Sequence, residues 1–277
     1  MNDLGEIDAP VLLFGGPYSN WQATKAILAK AGQLAIPPER IICTGDTVAY
    51  CGDPARTVAA IRRSGIHVIM GNCEESLGHN REDCGCGFVE GSDCETLSVL
   101  WFSHSLEALD DDDKAWMSGL PGKLTFSMNG RKLAVIHGGV ENISHFVYRS
   151  DPADEKTHDL DTLGVDGIIG GHCGLPFSQI IEGRLWHNAG AIGMPANDGT
   201  PRTWYSLMTP GPSGIHIAIC PLDYDYRSAA SSMLDKRISD AYARTLEDGL
   251  WPSMDVLPAT ERAQRGQPLA ANQILWG

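Results

Sequence analysis

The chain has 277 residues, with 21 Lys+Arg against 35 Asp+Glu and a formal net charge of −14. A field of that sign repels nucleic acid and anionic membrane, which excludes general polyanion binding but not a small anionic substrate held by a metal. Hydrophobic residues make up 43% and charged residues 20%, a globular composition of a size that suits one large domain or one domain with an appendage.

The first ten residues are acidic and polar, with no basic stretch, and the apolar run Val11 to Phe14 is far too short for a signal sequence or a membrane span. The expectation is a cytoplasmic protein, away from membranes, whose thiols stay reduced. Val11 to Phe14 reads as a buried strand. Ser19 to Ala31 reads as a helix, with Ser19 and Gln22 at capping-box spacing. Arg40 to Thr44 is a second strand, Asp53-Pro54 opens a second helix, and Ile66 to Met70 is a third strand. This alternation implies parallel pairing. Glu74 to Ser92, rich in Gly, Cys and Asp, reads as a loop, followed by helices over Asp93 to Ala108 and Asp110 to Gly119. Asn129-Gly130 and Glu182-Gly183 each sit between two strand-like runs and predict hairpins. Trp204 to Met208 and Gly214 to Ile219 add strands, and helices follow from Tyr226 to Leu234 and Ser239 to Leu246 before a proline-containing tail.

Four short motifs stand at the ends of predicted strands: Gly45-Asp46, Gly71-Asn72-Cys73-Glu74, His137-Gly138 and Gly171-His172. Sites in sheets with parallel strands form off the carboxyl ends of those strands, so the motifs are expected to converge. Asp46, Asn72, His137 and His172 would then offer a carboxylate, an amide oxygen and two imidazoles. That mixture suits a transition metal such as Mn, Fe or Zn better than Ca or Mg.

The set resembles the calcineurin-like metallophosphoesterases, in particular their small bacterial branch, over about Val11 to Ile219. The family pattern is D-x-H, then G-D, G-N-(H/C)-(D/E), H-G and G-H-x-H, and Asn188-Ala189-Gly190 is similar to its late N-P-G-S segment. The resemblance implies a four-layer α/β sandwich, with two mixed sheets face to face and helices outside. It places the domain at residues 9–220, with a C-terminal helical extension over 221–277. It also implies that Asp46, Asn72, His137 and His172 hold one metal. The positions aligned with the other metal's ligands, D-x-H and the second His of G-H-x-H, carry Gly16, Tyr18 and Gly174 instead. The losses delete one metal position and spare the other, so the expected cofactor is one divalent transition metal, or two if other residues replace the missing ligands. Tyr18 is read as a phenolate ligand, a hydrogen-bond donor to substrate or, preferably, a filler of the altered position.

Cys73, Cys84, Cys86 and Cys94 cluster in one segment. Cys84 and Cys86 are candidate metal ligands, weighed against free thiols in a tight loop or a Cys84–Cys86 link. The resemblance puts Cys73 where many members carry a histidine that protonates the leaving group, and Cys73 and His137 are the candidate catalytic residues. Arg149 is a candidate phosphate partner, and His187 beside Asn188 either orients a ligand or fills the core. The expected function is a metal-dependent phosphoesterase acting on a small phosphorylated molecule. The alternatives are a non-catalytic metal- or ligand-binding sensor module and a redox or soft-metal enzyme on the same scaffold. A homodimer is the default assembly.

Overall fold

The computed structural model describes residues 2–277. In chain order it contains β1 (Asn2–Glu6), β2 (Val11–Phe14), α1 (Trp21–Gln33), β3 (Ile41–Cys43), α2 (Pro54–Ser64), β4 (His67–Val68) and α3 (Asn72–Gly78). Next come α4 (Asp93–Ala108), α5 (Asp111–Ser118), the hairpin β5 (Leu124–Met128) and β6 (Arg131–Val135), α6 (Ala153–Leu163), and β7 (Gly167–Gly170). The chain ends with β8 (Phe177–Ile181), β9 (Arg184–Asn188), β10 (Thr203–Gly211), β11 (Gly214–Leu222), α7 (Tyr226–Asp235), α8 (Asp240–Asp248), α9 (Ala259–Ala263) and β12 (Asn272–Trp276).

The strands form two six-stranded mixed sheets, ordered β1-β5-β6-β7-β9-β8 and β12-β11-β10-β2-β3-β4. Alternation in the strands explains the layers. Val11 and Leu13 of β2 face Leu133, Val135 and Ile169 of the other sheet, making the central core. Leu12 and Phe14 point the other way, against Ile27 of α1 and Ile61 of α2. Ala134 and Ile168 face outward on the second sheet, against Leu160 of α6. This is the expected four-layer sandwich. Both hairpins turn where the sequence places them, with Asn129 at φ 51°, Gly130 at φ 71°, Glu182 at φ 51° and Gly183 at φ 81°. Positive φ at both central residues is the type I′ geometry that matches strand twist.

Several expectations need correction. Each end of the chain adds a strand: β1 pairs with β5, and β12 pairs with β11. Residues 2–6 therefore belong to the sandwich, and the C-terminal segment is not only helical. Asn272 and Gln273 gave β12 no apolar periodicity, yet Trp276 is 1% exposed and covers Gly167, where a Cβ would come within 3.0 Å of its ring. The Gly-rich loop begins later than expected, because Asn72 to Gly78 is helical. The cap of α1 is Asn20, whose Oδ1 accepts from the Ala23 amide at 3.0 Å, rather than Ser19. Asp53 opens α2 without capping it, since its carboxylate accepts from Lys236 Nζ at 2.6 Å and from Ser232 Oγ at 2.9 Å. Those bonds tie α7 to α2. The same C-terminal segment adds Ala230, Met233 and Tyr242 to a cluster with Tyr18, Cys73 and Trp101. No helix among the described residues is long and apolar enough to cross a membrane.

Candidate metal centre

The four motifs meet at one end of the sandwich. Asp46 follows β3, Asn72 opens α3, His137 follows β6 and His172 follows β7. All four are buried, at 4%, 1%, 3% and 9% exposure. Nε2 of His137 lies 3.1 Å from Asn72 Oδ1, 3.1 Å from His172 Nδ1 and 3.2 Å from Asp46 Oδ2. The ligand atoms of Asp46, His137 and His172 all fall within 4.8 Å of one another. Asp46 and His172 reach these positions with φ of 57° and 56°. Left-handed backbone at a non-glycine residue costs roughly 1–3 kcal/mol and persists where surrounding contacts impose it.

Supporting hydrogen bonds fix which atoms face the cluster. Nδ1 of His137 is 2.6 Å from the Thr44 carbonyl oxygen and must donate to it, which turns Nε2 inward to the cluster. Asn72 Nδ2 donates to the Cys84 carbonyl at 3.0 Å, so its Oδ1 points to His137. Asp46 Oδ1 accepts from the Cys73 amide at 3.3 Å, leaving Oδ2 for the cluster. Asn188 Nδ2 donates to the Gly171 carbonyl at 2.6 Å and to Cys173 Sγ at 3.2 Å, holding the turn that carries His172.

Glu74 is the strongest clamp and was not among the candidate residues. One carboxylate oxygen accepts from the Asp46 and Gly71 amides, each at 2.8 Å. The other accepts from the Thr47 amide and hydroxyl, each at 2.6 Å. Its signal was its place as the acidic last residue of the G-N-C-E motif. Gly71 has to be glycine here, because a Cβ would come within 2.7 Å of the Asp46 nitrogen.

The electrostatics call for a cation. Burial disfavours charge on His137, but the Asp46 carboxylate outweighs it and raises that imidazole's pKa above 6.5. Burial, then the neighbouring His137, lowers His172 to about 3, so it is neutral near pH 7. Burial pushes Asp46 up, but His137, by charge and hydrogen bond, and then His172 bring it below 3.8. A carboxylate oxygen and an amide oxygen, both pure acceptors, crowd one imidazole nitrogen. A proton on Nε2 satisfies one of them, whereas a metal ion satisfies all. The Nε2 atom of His172 is buried without a partner among the described residues. The three separations from His137 Nε2 are slightly below the roughly 3.4 Å edge of a tetrahedron with ~2.1 Å metal bonds, and Asp46, His137 and His172 offer atoms within 4.8 Å of one another, a spacing one ion could span.

The positions aligned with the other metal's ligands are built differently. Tyr18, at φ 51°, folds its ring back over Gly16, where a Cβ would lie within 2.7 Å of the ring. Its hydroxyl lies 3.7 Å from where a Cβ of Gly174 would stand. The Tyr18 ring packs 4.9 Å from Tyr50, which packs on Trp101 at 5.3 Å and Tyr242 at 4.9 Å. Burial and the nearby Asp46 raise the Tyr18 phenol well above 10, so it stays neutral. A cavity of about 60 Å³ remains beside His172, lined by Phe88, Phe146, Met194 and Trp251 among others. No Lys or Arg is among its described lining residues.

The remaining candidates separate. Cys73 is 1% exposed, and burial followed by Asp46 and Glu74 raises its pKa well above 9, so it keeps its proton. Cys84 and Cys86 are joined as a disulfide and do not stand among the metal donors. Cys86 Sγ instead lies 3.3 Å from Asn72 Nδ2. Arg149 is exposed and lines a different depression with Glu261 and Gln264, so the fold does not bring it to the cluster. The adjacent Tyr148 turns inward at 3% exposure, and consecutive side chains there point apart. His187 is a core residue, 2.9 Å from Ser178 Oγ.

Comparison with known proteins supports the family and the fold. Residues 19–209 match the family model described as calcineurin-like phosphoesterase superfamily domain. An uncharacterised protein of Methanocaldococcus jannaschii is 22% identical over 238 residues, 80% of this chain and 91% of that protein. A hypothetical protein of Pyrococcus horikoshii superposes with a TM-score of 0.73 at 14% identity, over 87% of this chain and 99% of that one. A metallophosphoesterase of Sphaerobacter thermophilus superposes at 0.66 with 18% identity, over 88% of this chain and 100% of that one. At these identities the two structures speak to the fold.

Proposed function

The chain belongs to the calcineurin-like phosphoesterase superfamily, and we propose that it is a phosphoester hydrolase working from a single divalent transition metal on a small phosphorylated substrate. The observation that carries this reading is the convergence of Asp46, Asn72 and His172 on His137 Nε2, at 3.1 to 3.2 Å. Held by these four residues, a metal such as Mn, Fe or Zn would polarise a phosphoryl oxygen and acidify water. The protein's own part is to keep the donors in place. Thr44 and Asp46 orient His137, Cys84 orients Asn72, and Asn188 steadies the His172 turn. Glu74 holds the backbone around Asp46. Cys73 is protonated beside Asp46 and so is no base, and burial makes its thiol a weak acid for a leaving group. Tyr18, a neutral phenol where the family's other metal would be, limits the site to one ion and excludes the two-metal clamp.

Assay of phosphomonoesters and phosphodiesters with Mn, Fe, Co or Zn tests this reading. Turnover should need metal, stop with EDTA, and vanish in Asp46→Ala and His172→Ala. The second reading, a metal- or ligand-binding module without turnover, is favoured by the burial of all four donors and by a cavity of only about 60 Å³. That volume holds only a few waters, so substrate could reach the donors only if the surrounding loops moved. One metal equivalent bound without hydrolysis of any ester would establish the second reading.

A further inference from the structure

The Cys84-Gly85-Cys86 turn is clamped between the two elements that flank the donors. On one side, Asn72 Nδ2 donates to the Cys84 carbonyl at 3.0 Å and lies 3.3 Å from Cys86 Sγ. A Cβ on Gly85, which has φ +60°, would come within 2.7 Å of Ser76 Oγ of α3. On the other side, Ser144 Oγ donates to the Gly85 carbonyl, and the Cys86 backbone faces the His172 imidazole. Cys84 and Cys86 are each 4% exposed. The turn thus packs on Asn72 and holds one sulfur 3.3 Å from that residue's amide nitrogen, yet the sulfur's valence is taken by Cys84.

We propose that Cys86 is a redox-controlled fifth ligand of this metal centre, and that with it the site takes a thiophilic divalent ion such as Zn. This rests on the single-metal reading above. The chemistry balances with a dithiol reductant. Two thiols of the reductant are oxidised to its disulfide as the Cys84–Cys86 bond is reduced to two thiols. On binding the ion, Cys86 releases its proton to solvent and joins Asp46, Asn72, His137 and His172 as thiolate. Two physical arguments favour the change. Asp46 is the only anion among the four donors, and a buried divalent ion is better neutralised by a second one. A thiolate also shifts an oxygen–nitrogen site toward Zn and away from Mg or Mn. In the oxidised protein the turn serves only to orient the Asn72 amide, and the site keeps its harder donor set.

Cobalt(II) reads the two states directly. Anaerobically reduced full-length protein titrated with Co(II) should show visible ligand-field bands and a near-ultraviolet sulfur-to-cobalt absorption. The oxidised protein should show only the former. The sulfur band should vanish in Cys86→Ser and persist in Cys84→Ser and Cys73→Ser. Zn should displace cobalt from the reduced protein at about tenfold lower concentration than from the oxidised one, as expected for a gained supporting interaction or more. Cobalt bound without a sulfur band in reduced wild type overturns this inference and leaves the single-metal reading standing. Failure of either form to bind cobalt overturns both. Should Cys86→Ser not fold, X-ray absorption at the cobalt edge of the reduced wild type decides: sulfur at roughly 2.3 Å supports the ligand, and only nitrogen and oxygen neighbours refute it.

Discussion

The two sides of Asp46 are both buried, and they are opposites in chemistry. On one side Asn72, His137 and His172 crowd lone pairs together, with separations of 3.1 to 3.2 Å around one nitrogen. On the other, Tyr18 lies over Gly16 and packs on Tyr50 in an aromatic cluster with Trp101 and Tyr242. The donor side is electrostatically incomplete until a cation lies between its atoms. The aromatic side is complete as it stands. On the single-metal proposal, the number of ions is set by what fills each position and not by the scaffold: Gly16 and Tyr18 follow β2 just as Asp46 follows β3, and Gly174 shares the β7 turn with His172.

The largest effect is expected on the donor side. Asp46→Ala should weaken metal binding on the order of 1,000-fold, beyond the roughly 10- to 100-fold typical of lost supporting bonds, as read by calorimetric titration. An unchanged affinity would erase the contrast between the two sides.

The pH arms should separate them next. His172 titrates at about 3 and His187 at about 4, both lowered chiefly by burial from 6.5. Between those limits the unfolded chain binds protons that the folded metal-free protein does not, so stability is full above about pH 6.5 and lost as pH falls. Each group accounts for up to about 3 kcal/mol by pH 4, at ~1.4 kcal/mol per unit. His137, raised above 6.5, is charged in both states within this window and adds no slope. Urea denaturation of His187→Gln should show about half the acid slope. The aromatic side acts at the other end. Tyr18, Tyr50 and Tyr242 are raised above 10, chiefly by burial, so their contribution is present below pH 10 and lost as pH rises beyond it.

Gly16→Ala should destabilise by about 2–3 kcal/mol, from overlap with the Tyr18 ring and a φ of +44°. In a Tyr18→Ala background only the backbone cost of about 1 kcal/mol should remain, and a double-mutant cycle measures the difference. The triple change Gly16→Asp, Tyr18→His and Gly174→His should raise metal stoichiometry from one toward two. No second equivalent in a folded triple variant would show that the aromatic side is not a replaced metal position.

The smallest effect is on the clamp they share. Glu74→Gln removes an ionised acceptor from four donors and should cost about 2 kcal/mol, with weaker metal binding through a displaced Asp46. Unchanged metal affinity at reduced stability would make Glu74 purely structural.

Much of the fold was legible because its signals are local. Val11 to Phe14 and Ile41 to Cys43 are short apolar strands, Asn129-Gly130 is a turn that few other sequences make as well, and Glu182-Gly183 carries the glycine that such a turn needs. β1 and β12 were not legible, because an edge strand that owes its place to a partner needs no apolar pattern of its own. Helix α6 was missed for a related reason: only Lys156 and Leu160 are buried on it, which leaves little apolar periodicity to read.

The same division runs through the site. The sequence by itself determined which donors exist, because Asp46, Asn72, His137 and His172 lie in short motifs that end strands or open a helix, and parallel strands deliver those ends to one place. It also showed where the chain departs from the pattern it resembles, at Gly16, Tyr18 and Gly174. Only the tertiary structure decided that Glu74 turns to amides instead of metal, that Arg149 faces solvent, that Tyr18 covers Gly16, and that Cys86 stands against Asn72 and not among the donors. Each of those outcomes depends on side-chain direction and on contacts with segments brought close only by folding, and residue spacing carries no record of either.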